Sequence, residues 1–450
     1  MVALQKMSHL RSLAVCLRVP HCICSVRTIT KVNSAVSIPP NITEALETSE
    51  LKHKHHPGAR KRVQVKLPEK LLAAVSSVLE TQNMTHLREA AVLIRNQHWS
   101  RHLPTENDEI RARAMSIERK LVGNALETMS QEERDLVEED IKRAVFEKLK
   151  QRIRLWKPVN YDEFGARSYL VARLAADYAI VHDVFHEIRH MDPAFTPASM
   201  MDFGSGIGTC YWAAKNIWPK YFQEYFSIDI SNHMHDLARL LVNGGKTSAE
   251  LKLPSFFQRE FLPAADTIKF DLVVSAFTLM ELPNAQRRLE TVASLWGKTN
   301  RFLVVIENGT QAGHNAVAEA RDFVLMISKD GGQEPAKVLA PKTQAAAARY
   351  SYVVLQKPGD MPKERNWPRL IRPVLRRSRH AICRMRCSDA CLKEFVFTKK
   401  KHGRHVYRMA RSSKWGDQLP VDLMPPGEEG VPLSDSAEDM DIEFEDVDSK

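Results

Sequence analysis

What the chain lacks narrows it first. It has no run of 18 apolar residues, so no membrane-spanning helix is expected. It holds only seven cysteines in 450 residues, at 16, 22, 24, 210, 383, 387 and 391. That scatter is no disulfide framework, and a reducing or intracellular setting fits it. No acidic residue precedes Glu44, while Lys6, Arg11, Arg18 and Arg27 stand among apolar and Ser residues. An Arg-rich, acid-free beginning is the pattern of a mitochondrial targeting segment, here residues 1–30.

Charge is present in quantity but divided unevenly. The formal net charge is +10, with 44% hydrophobic and 27% charged residues, which fits a folded chain with room for two or three domains. From Asp422 onward there are eleven Asp or Glu and one Lys, so the residues before it carry +20. A body this positive suggests a polyanionic partner, with RNA the first candidate. Residues 361–414 concentrate the charge, with 17 Lys or Arg against 3 acids and Trp367 nearby. Phe395–Phe397 and His405–Arg408 read there as two strands across the basic turn Lys399–Gly403. This segment is the expected phosphate contact.

The rest divides by pattern. Residues 31–66 read as a linker broken by Pro39-Pro40 and Pro57-Gly58, with His53, His55 and His56 a solvated polar run. Residues 67–190 read as a helical N-terminal domain, with helices over 106–127, 130–154 and 163–189. Tyr161, Tyr169, Arg173 and Tyr178 fit packing roles there, with a ligand-lining role as the alternative. Residues 195–357 alternate strand and helix, which predicts an α/β domain with a parallel sheet. Within them, 336–349 is a thin Ala-rich stretch. Residues 358–420 form a basic extension, and 421–450 an acidic, disordered tail.

The alternation starts at Met200-Met-Asp-Phe-Gly-Ser-Gly-Ile-Gly-Thr-Cys210. An apolar strand ends in Gly204, Gly206 and Gly208, and a helix follows. Glycines there permit unusual backbone angles and close approach of a ligand. Asp202 immediately precedes the turn. This resembles motif I of S-adenosylmethionine-dependent methyltransferases, in which the acid helps position the methionine part of the cofactor. Asp229, at the next strand end, is placed to accept ribose hydroxyls, or else to cap a helix. Ser275 to Glu281 follow the fourth strand, where a methyl acceptor would approach. The expected fold is therefore a Rossmann-like S-adenosylmethionine-dependent methyltransferase fold with an N-terminal helical region and a basic C-terminal β extension. Cofactor contacts are expected at Asp202, Gly204, Gly206, Gly208, Asp229 and Ser275.

The chemistry half is thinner. Enzymes that methylate amino groups often present an Asn/Asp-Pro-Pro-aromatic loop after the fourth strand, and this chain has Ser275-Ala-Phe-Thr278. Ala276 and Phe277 offer no side-chain acceptor for an exocyclic amine. Cys210 sits on the cofactor turn, where a small core residue is the plainer reading. Glu281 is the one nearby carboxylate visible in the sequence. No catalytic residue is assigned.

Met200–Thr209, Tyr211-Trp212, Ser275-Ala-Phe277, Glu281-Leu-Pro283, Glu307-Asn-Gly-Thr310, Ser351–Val354 and Arg408–Asp417 together resemble the mitochondrial methyltransferase-like protein 17 / Rsm22 family over roughly 67–420. The resemblance implies an assembly factor of the mitochondrial small ribosomal subunit. Such a factor acts in the matrix, contacts rRNA, supports mitochondrial translation, and engages neither DNA nor membrane. It implies a methyltransferase-like fold able to hold S-adenosylmethionine, inactive or weakly active as an enzyme. The competing expectation is an active rRNA methyltransferase. The resemblance also implies a 4Fe-4S cluster on four cysteines. Only Cys383 has a counterpart here, because no cysteine follows Val338-Leu-Ala-Pro341 before the strand at Tyr350.

Overall fold

The computed structural model describes residues 30–31, 36–59, 65–122, 131–154, 156–247, 255–264, 267–330, 337–345, 349–357, 367–387 and 392–423. Residues 1–29 of the expected targeting segment, nearly all of the acidic tail and Cys391 lie outside them. The described residues form two compact units. One spans 65–357, and the other joins 30–59 to 367–423.

The first elements are short: β1 (Thr30–Lys31), β2 (Val36–Ser37) and α1 (Pro40–Glu47), followed by a single turn of 3-10 helix at His53–His55. The larger unit then opens with five helices: α2 (Glu69–Leu79), α3 (Met84–Ser100), α4 (Asn107–Val122), α5 (Gln131–Lys150) and α6 (Glu163–Met191). Their starts are chemically marked. Asn83 accepts from the Thr85 and His86 N–H groups, and Asp162 from that of Gly165, which satisfies donors a helix leaves open.

Next come β3 (Ser199–Phe203), α7 (Thr209–Ile217), β4 (Glu224–Ile228), α8 (Asn232–Val242), β5 (Phe256–Arg259) and β6 (Phe270–Ala276). After them stand α9 (Ala285–Gly297), β7 (Thr299–Asn308), α10 (Gln311–Asp330), β8 (Lys337–Ala345) and β9 (Arg349–Gln356). The sheet has seven strands in the order β5-β4-β3-β6-β7-β9-β8. The first five run parallel, whereas β9 is antiparallel to β7 and β8 to β9. This is the doubly wound Rossmann-like order with an antiparallel pair at one edge, the arrangement of a methyltransferase-like domain. Within the stretch 336–349 read as thin and Ala-rich, Lys337–Ala345 forms the edge strand β8.

Strand alternation sorts the core. Met200, Leu272, Val274 and Val304 face α6 and α7, while Met201, Val273, Leu303 and Val305 face α9 and α10. Leu71, Ala74 and Val78 of α2 pack with Leu170 and Leu174 of α6 and with Met234, Leu237 and Leu241 of α8. The boundary expected near 190–195 is therefore no domain boundary. Helix α6 covers one face of the sheet and belongs to the same compact unit.

The smaller unit completes the chain with β10 (Arg369–Leu370), β11 (Leu375–Arg376), β12 (His380–Arg386), β13 (Leu392–Thr398), α11 (Lys399–Ser412) and β14 (Asp422–Leu423). Its main sheet runs β1-β13-β12-β10, with β11 also on β12, and β14 pairs with β2. Two expectations are corrected here. Residues 405–408 are helical, because Val406, Tyr407, Met409 and Ala410 share one buried face and Thr398 caps the start through the Lys401 N–H. The strand partner of β13 is β12 instead. The expected linker is folded over 36–59: Ile42 and Leu46 enter the same core as Phe395 and Phe397. Of its histidines only His55 is exposed as expected. His53 stacks on His405 with ring centroids 5.2 Å apart, and His56 Nε2 lies 2.8 Å from Ser413 Oγ. Burial lowers both His53 and His56 to about 4.

Candidate nucleoside site, its covered mouth and a basic surface

The turn after β3 is built from left-handed glycines, with φ 71° at Gly204, 51° at Gly206 and 77° at Gly208. Gly204 and Ser205 donate to the Ile228 carbonyl at 2.8 and 3.0 Å, which ties the turn to the end of β4. The two sides of the turn differ. A Cβ on Gly204 would meet the Thr278 side chain at 2.0–2.7 Å, while one on Gly206 would meet nothing within 4 Å. The turn is thus packed on the side of β6 and open at Gly206.

Asp229 is bound to that turn. Its Oδ2 accepts the Gly206 N–H at 2.8 Å and its Oδ1 the Ser231 N–H at 2.9 Å. These two bonds oppose burial, which still holds its carboxyl above the ordinary range. The carboxylate keeps lone pairs for a ribose as well. Beside it Ile230 is 78% exposed, and Phe261, just beyond the neighbouring strand β5, is 71% exposed. The register pairs Ile228 with Arg259, so these apolar side chains follow adjacent strand ends. An apolar base has a natural seat there, with Asp229 at its edge. The sequence reading missed both residues, although a large apolar residue directly after the acid was a visible signal.

Asp202 is fully buried on β3 and accepts from the Tyr225 hydroxyl at 2.7 Å. Burial raises its carboxyl to about 7, opposed by the Tyr225 hydroxyl and, more weakly, the Cys210 thiol. Burial thus favours the neutral acid under the turn over a fixed charge. Ser275 pairs with Phe203 across the β3–β6 ladder, is fully buried, and its Oγ has no hydrogen-bond partner. An unpartnered buried hydroxyl beside an open turn suits a bound polar ligand.

The structure brings together more than the sequence reading expected at the mouth beyond β6. Phe277 holds a left-handed φ of 61°, uncommon for a side chain of its size. The Arg173 guanidinium lies 4.8 Å from its ring centroid, pairs with Asp177 at 2.7 Å and donates to Asn308 Oδ1 at 3.1 Å. Tyr169 donates to Asp177 at 3.0 Å. Arg101 Nε donates to the Met280 carbonyl at 3.0 Å and Trp156 Nε1 to that of Glu281 at 2.8 Å. Tyr161, Tyr169 and Arg173 thus reach the mouth, whereas Tyr178 lies in the core under the sheet. Residues 101 and 156 were not foreseen, because nothing local marks which connecting residues fold over a distant strand end.

Glu281 is not alone either. Glu307 is fully buried nearby and accepts the Met280 N–H at 3.3 Å. Burial raises Glu281 to about 7 and Glu307 to about 8. Arg101, 3.7 Å from Glu281, only partly offsets this, since desolvation outweighs one long ion pair.

The cysteine expected to hold metal has another place. Cys383 lies in β12, fully buried among Met385, Phe395, Phe397 and Met409. Burial pushes its thiol up to about 12, which suits an inert core residue. Cys383 and Cys387 are about 13 Å apart along extended chain, with Met385 between them on the same buried face. Among the described residues no three His, Cys, Asp or Glu are grouped to hold a metal. These residues do not fit the implied iron–sulfur group.

The smaller unit carries the charge. Lys399, Lys400, Lys401, Arg404 and Arg408 are exposed on α11, and Arg372, Arg376, Arg377 and Arg379 around β11. Arg384 is instead neutralised by Glu394 at 2.7 Å.

Comparison with known proteins follows the same lines. The family model described as mitochondrial small ribosomal subunit Rsm22 matches residues 163–348 and 333–420. The human protein "Ribosome assembly protein METTL17, mitochondrial" is 37% identical over 399 residues, covering 82% of this chain and 86% of the human one. An Rsm22-cox11 tandem protein of Schizosaccharomyces pombe is 23% identical over 335 residues, 57% of this chain and 43% of its own length. Among solved structures, Synechocystis magnesium protoporphyrin IX methyltransferase with bound S-adenosylmethionine is 15% identical. It aligns with 45% of this chain and 100% of its own at a TM-score of 0.30. Ribosomal protein L11 methylase from Lactobacillus delbrueckii is 14% identical over 42% of this chain and 80% of its own, at 0.29.

Proposed function

The chain belongs to the Rsm22 family, and from that premise we propose that it is a mitochondrial assembly factor of the small ribosomal subunit that holds S-adenosylmethionine and docks on rRNA. In this reading it acts in the matrix and supports mitochondrial translation. The observation that carries it is the asymmetry of the site. The glycine turn is open at Gly206, with Asp229, Ile230 and Phe261 beside it, while the chain's own Arg101, Trp156, Tyr161 and Arg173 fill the mouth beyond β6.

Bound S-adenosylmethionine would supply an electrophilic methyl group on its sulfonium. Transfer also needs an acceptor held in line with that methyl, chiefly a matter of positioning. A mouth closed by hydrogen-bonded side chains removes that access. The nucleoside then serves as a structural ligand that stabilises the folded state by mass action. The exposed cations of α11 and β11 supply phosphate contacts.

A second reading is favoured by Glu281. A carboxyl with its pKa near 7 at the acceptor side is suited to general-base work in an active rRNA methyltransferase. Titration calorimetry with S-adenosylmethionine, alongside incorporation of its labelled methyl group into immature small-subunit rRNA, separates the two. Binding without incorporation is expected. Incorporation that Glu281→Gln abolishes would establish the enzyme instead, and absence of binding would remove the nucleoside half of the proposal.

A further inference from the structure

The larger unit has a second recess, distinct from the glycine turn. A cavity of about 470 Å³ lies between the residues leading into α4, those following α5 and the start of α9. It adjoins the covered mouth, since Trp156 in its wall donates to the Glu281 carbonyl.

Its lining has a particular chemistry. Trp156 is 40% exposed although its Nε1–H is already used, so the indole is held in place with surface left for stacking. Exposed Arg154 stands two residues earlier. Its backbone is clamped, because Thr105 Oγ1 accepts the Arg154 N–H at 2.9 Å and the Thr105 N–H donates to the Arg154 carbonyl at 2.9 Å. The side chain is therefore presented from a rigid strip. Asn107 and Gln286 add amides able both to donate and to accept.

One acid of the wall is engaged: Glu106 accepts the Ala285 N–H at 2.8 Å and sits 3.7 Å from Arg288. Asp108, 97% exposed and 3.7 Å from Arg111, points to solvent, where water and salt screen its charge. A held indole, a clamped guanidinium and two amides match a base, its phosphate and its hydrogen-bonding edge.

We infer that this cavity takes one unpaired nucleotide of single-stranded RNA, stacked on Trp156 with its phosphate at Arg154. A duplex cannot present a base in that way, so the recess would read single-stranded rRNA beside the covered mouth. The inference rests on the RNA-docking half of the proposed function.

The test uses the full chain with fluorescein-labelled oligouridine and a duplex RNA of equal length, read by anisotropy at fixed salt. Trp156→Ala is expected to weaken oligouridine binding roughly 5- to 100-fold, the range of one stacked base, and to leave duplex binding within about twofold. Arg154→Ala, at an exposed site, is expected to weaken it in the same sense. Trp156→Phe keeps a ring to stack on and should retain most of the affinity, which guards against simple misfolding. Crosslinking with 4-thiouridine-substituted RNA should map to the peptide carrying Trp156. Unchanged oligouridine binding in both alanine variants, or crosslinks only in the smaller unit, would overturn the inference while leaving RNA docking intact. Tight binding of free uridine monophosphate that fails to compete with oligouridine would overturn it as well. No RNA binding by the unaltered chain would instead remove the docking reading itself.

Discussion

The Gly206 N–H donates to Asp229 Oδ2 at 2.8 Å, so the glycine turn and the acid at the next strand end form one rigid piece. Asp229→Ala leaves both this N–H and that of Ser231 without their acceptor, at about 1–3 kcal/mol for each group that water does not reach. The expected outcome is at least about a tenfold loss of S-adenosylmethionine affinity by calorimetry, with Asp229→Asn falling between. Equal affinity in Asp229→Ala would place the nucleoside elsewhere.

Thr278 packs over Gly204 so closely that an added Cβ would lie 2.0 Å from its Oγ1. Gly204→Ala adds this clash to a left-handed backbone, a combined cost of about 2–4 kcal/mol. Thr278→Ala should relieve the larger share of the clash, though its Cβ, 2.7 Å from the added one, remains. A double-mutant cycle on denaturant midpoints should therefore show favourable coupling between the two changes, whereas strict additivity would mean the clash relaxes by backbone movement.

Glu307 gives stability a definite pH dependence. Its pKa rises from 4.5 to about 8 on folding, so the folded state holds that proton more tightly than the unfolded chain. Its contribution to stability is complete below about 4.5 and is lost as pH rises through 8. Glu281, raised to about 7, acts in the same direction. Glu307→Gln should flatten the fall in thermal midpoint between pH 5 and 8.5 and raise the midpoint at the alkaline end. A steeper fall in the variant would contradict buried protonation at this site.

Charge reversal on the exposed face of α11 tests docking without touching the core. Lys400→Glu, Lys401→Glu and Arg404→Glu together should weaken RNA binding across sequences. The slope of log affinity against log salt should shrink by about 0.7–0.9 for each phosphate that the helix no longer neutralises. An unchanged slope would move the RNA interface off this helix.

The acidic end offers a complementary check. Removing residues 424–450 takes away ten Asp or Glu and one Lys. If the tail screens the basic body, non-specific RNA should bind more tightly at low salt, with the gain fading as salt rises. Identical affinities at low salt would show that it does not.

Part of this was legible in the chain because it is local. Met200 and Met201 face opposite cores as period-two alternation requires, and Gly204, Gly206 and Gly208 adopt the positive φ that their missing Cβ permits. Asp202 and Asp229 were singled out by their place around the turn, though what holds each was not visible. Tyr225 on Asp202 and Gly206 on Asp229 are contacts between separate strands. Residues 405–408 show a limit of the same method. A short stretch with apolar residues on both sides of a basic run reads as strand or helix equally well, and only the Phe395–Phe397 core beneath it made α11 a helix.

By itself, the order of residues determined the doubly wound alternation, the glycine turn and the division of charge, since these follow from backbone sterics, side-chain period and counting. Only the tertiary structure decided that Arg101, Trp156, Tyr161 and Arg173 close the mouth beyond β6, and that Cys383 is a core residue. Those outcomes depend on which distant segments share a buried surface. That choice is made by the packing of whole faces against one another, and no local spacing records it.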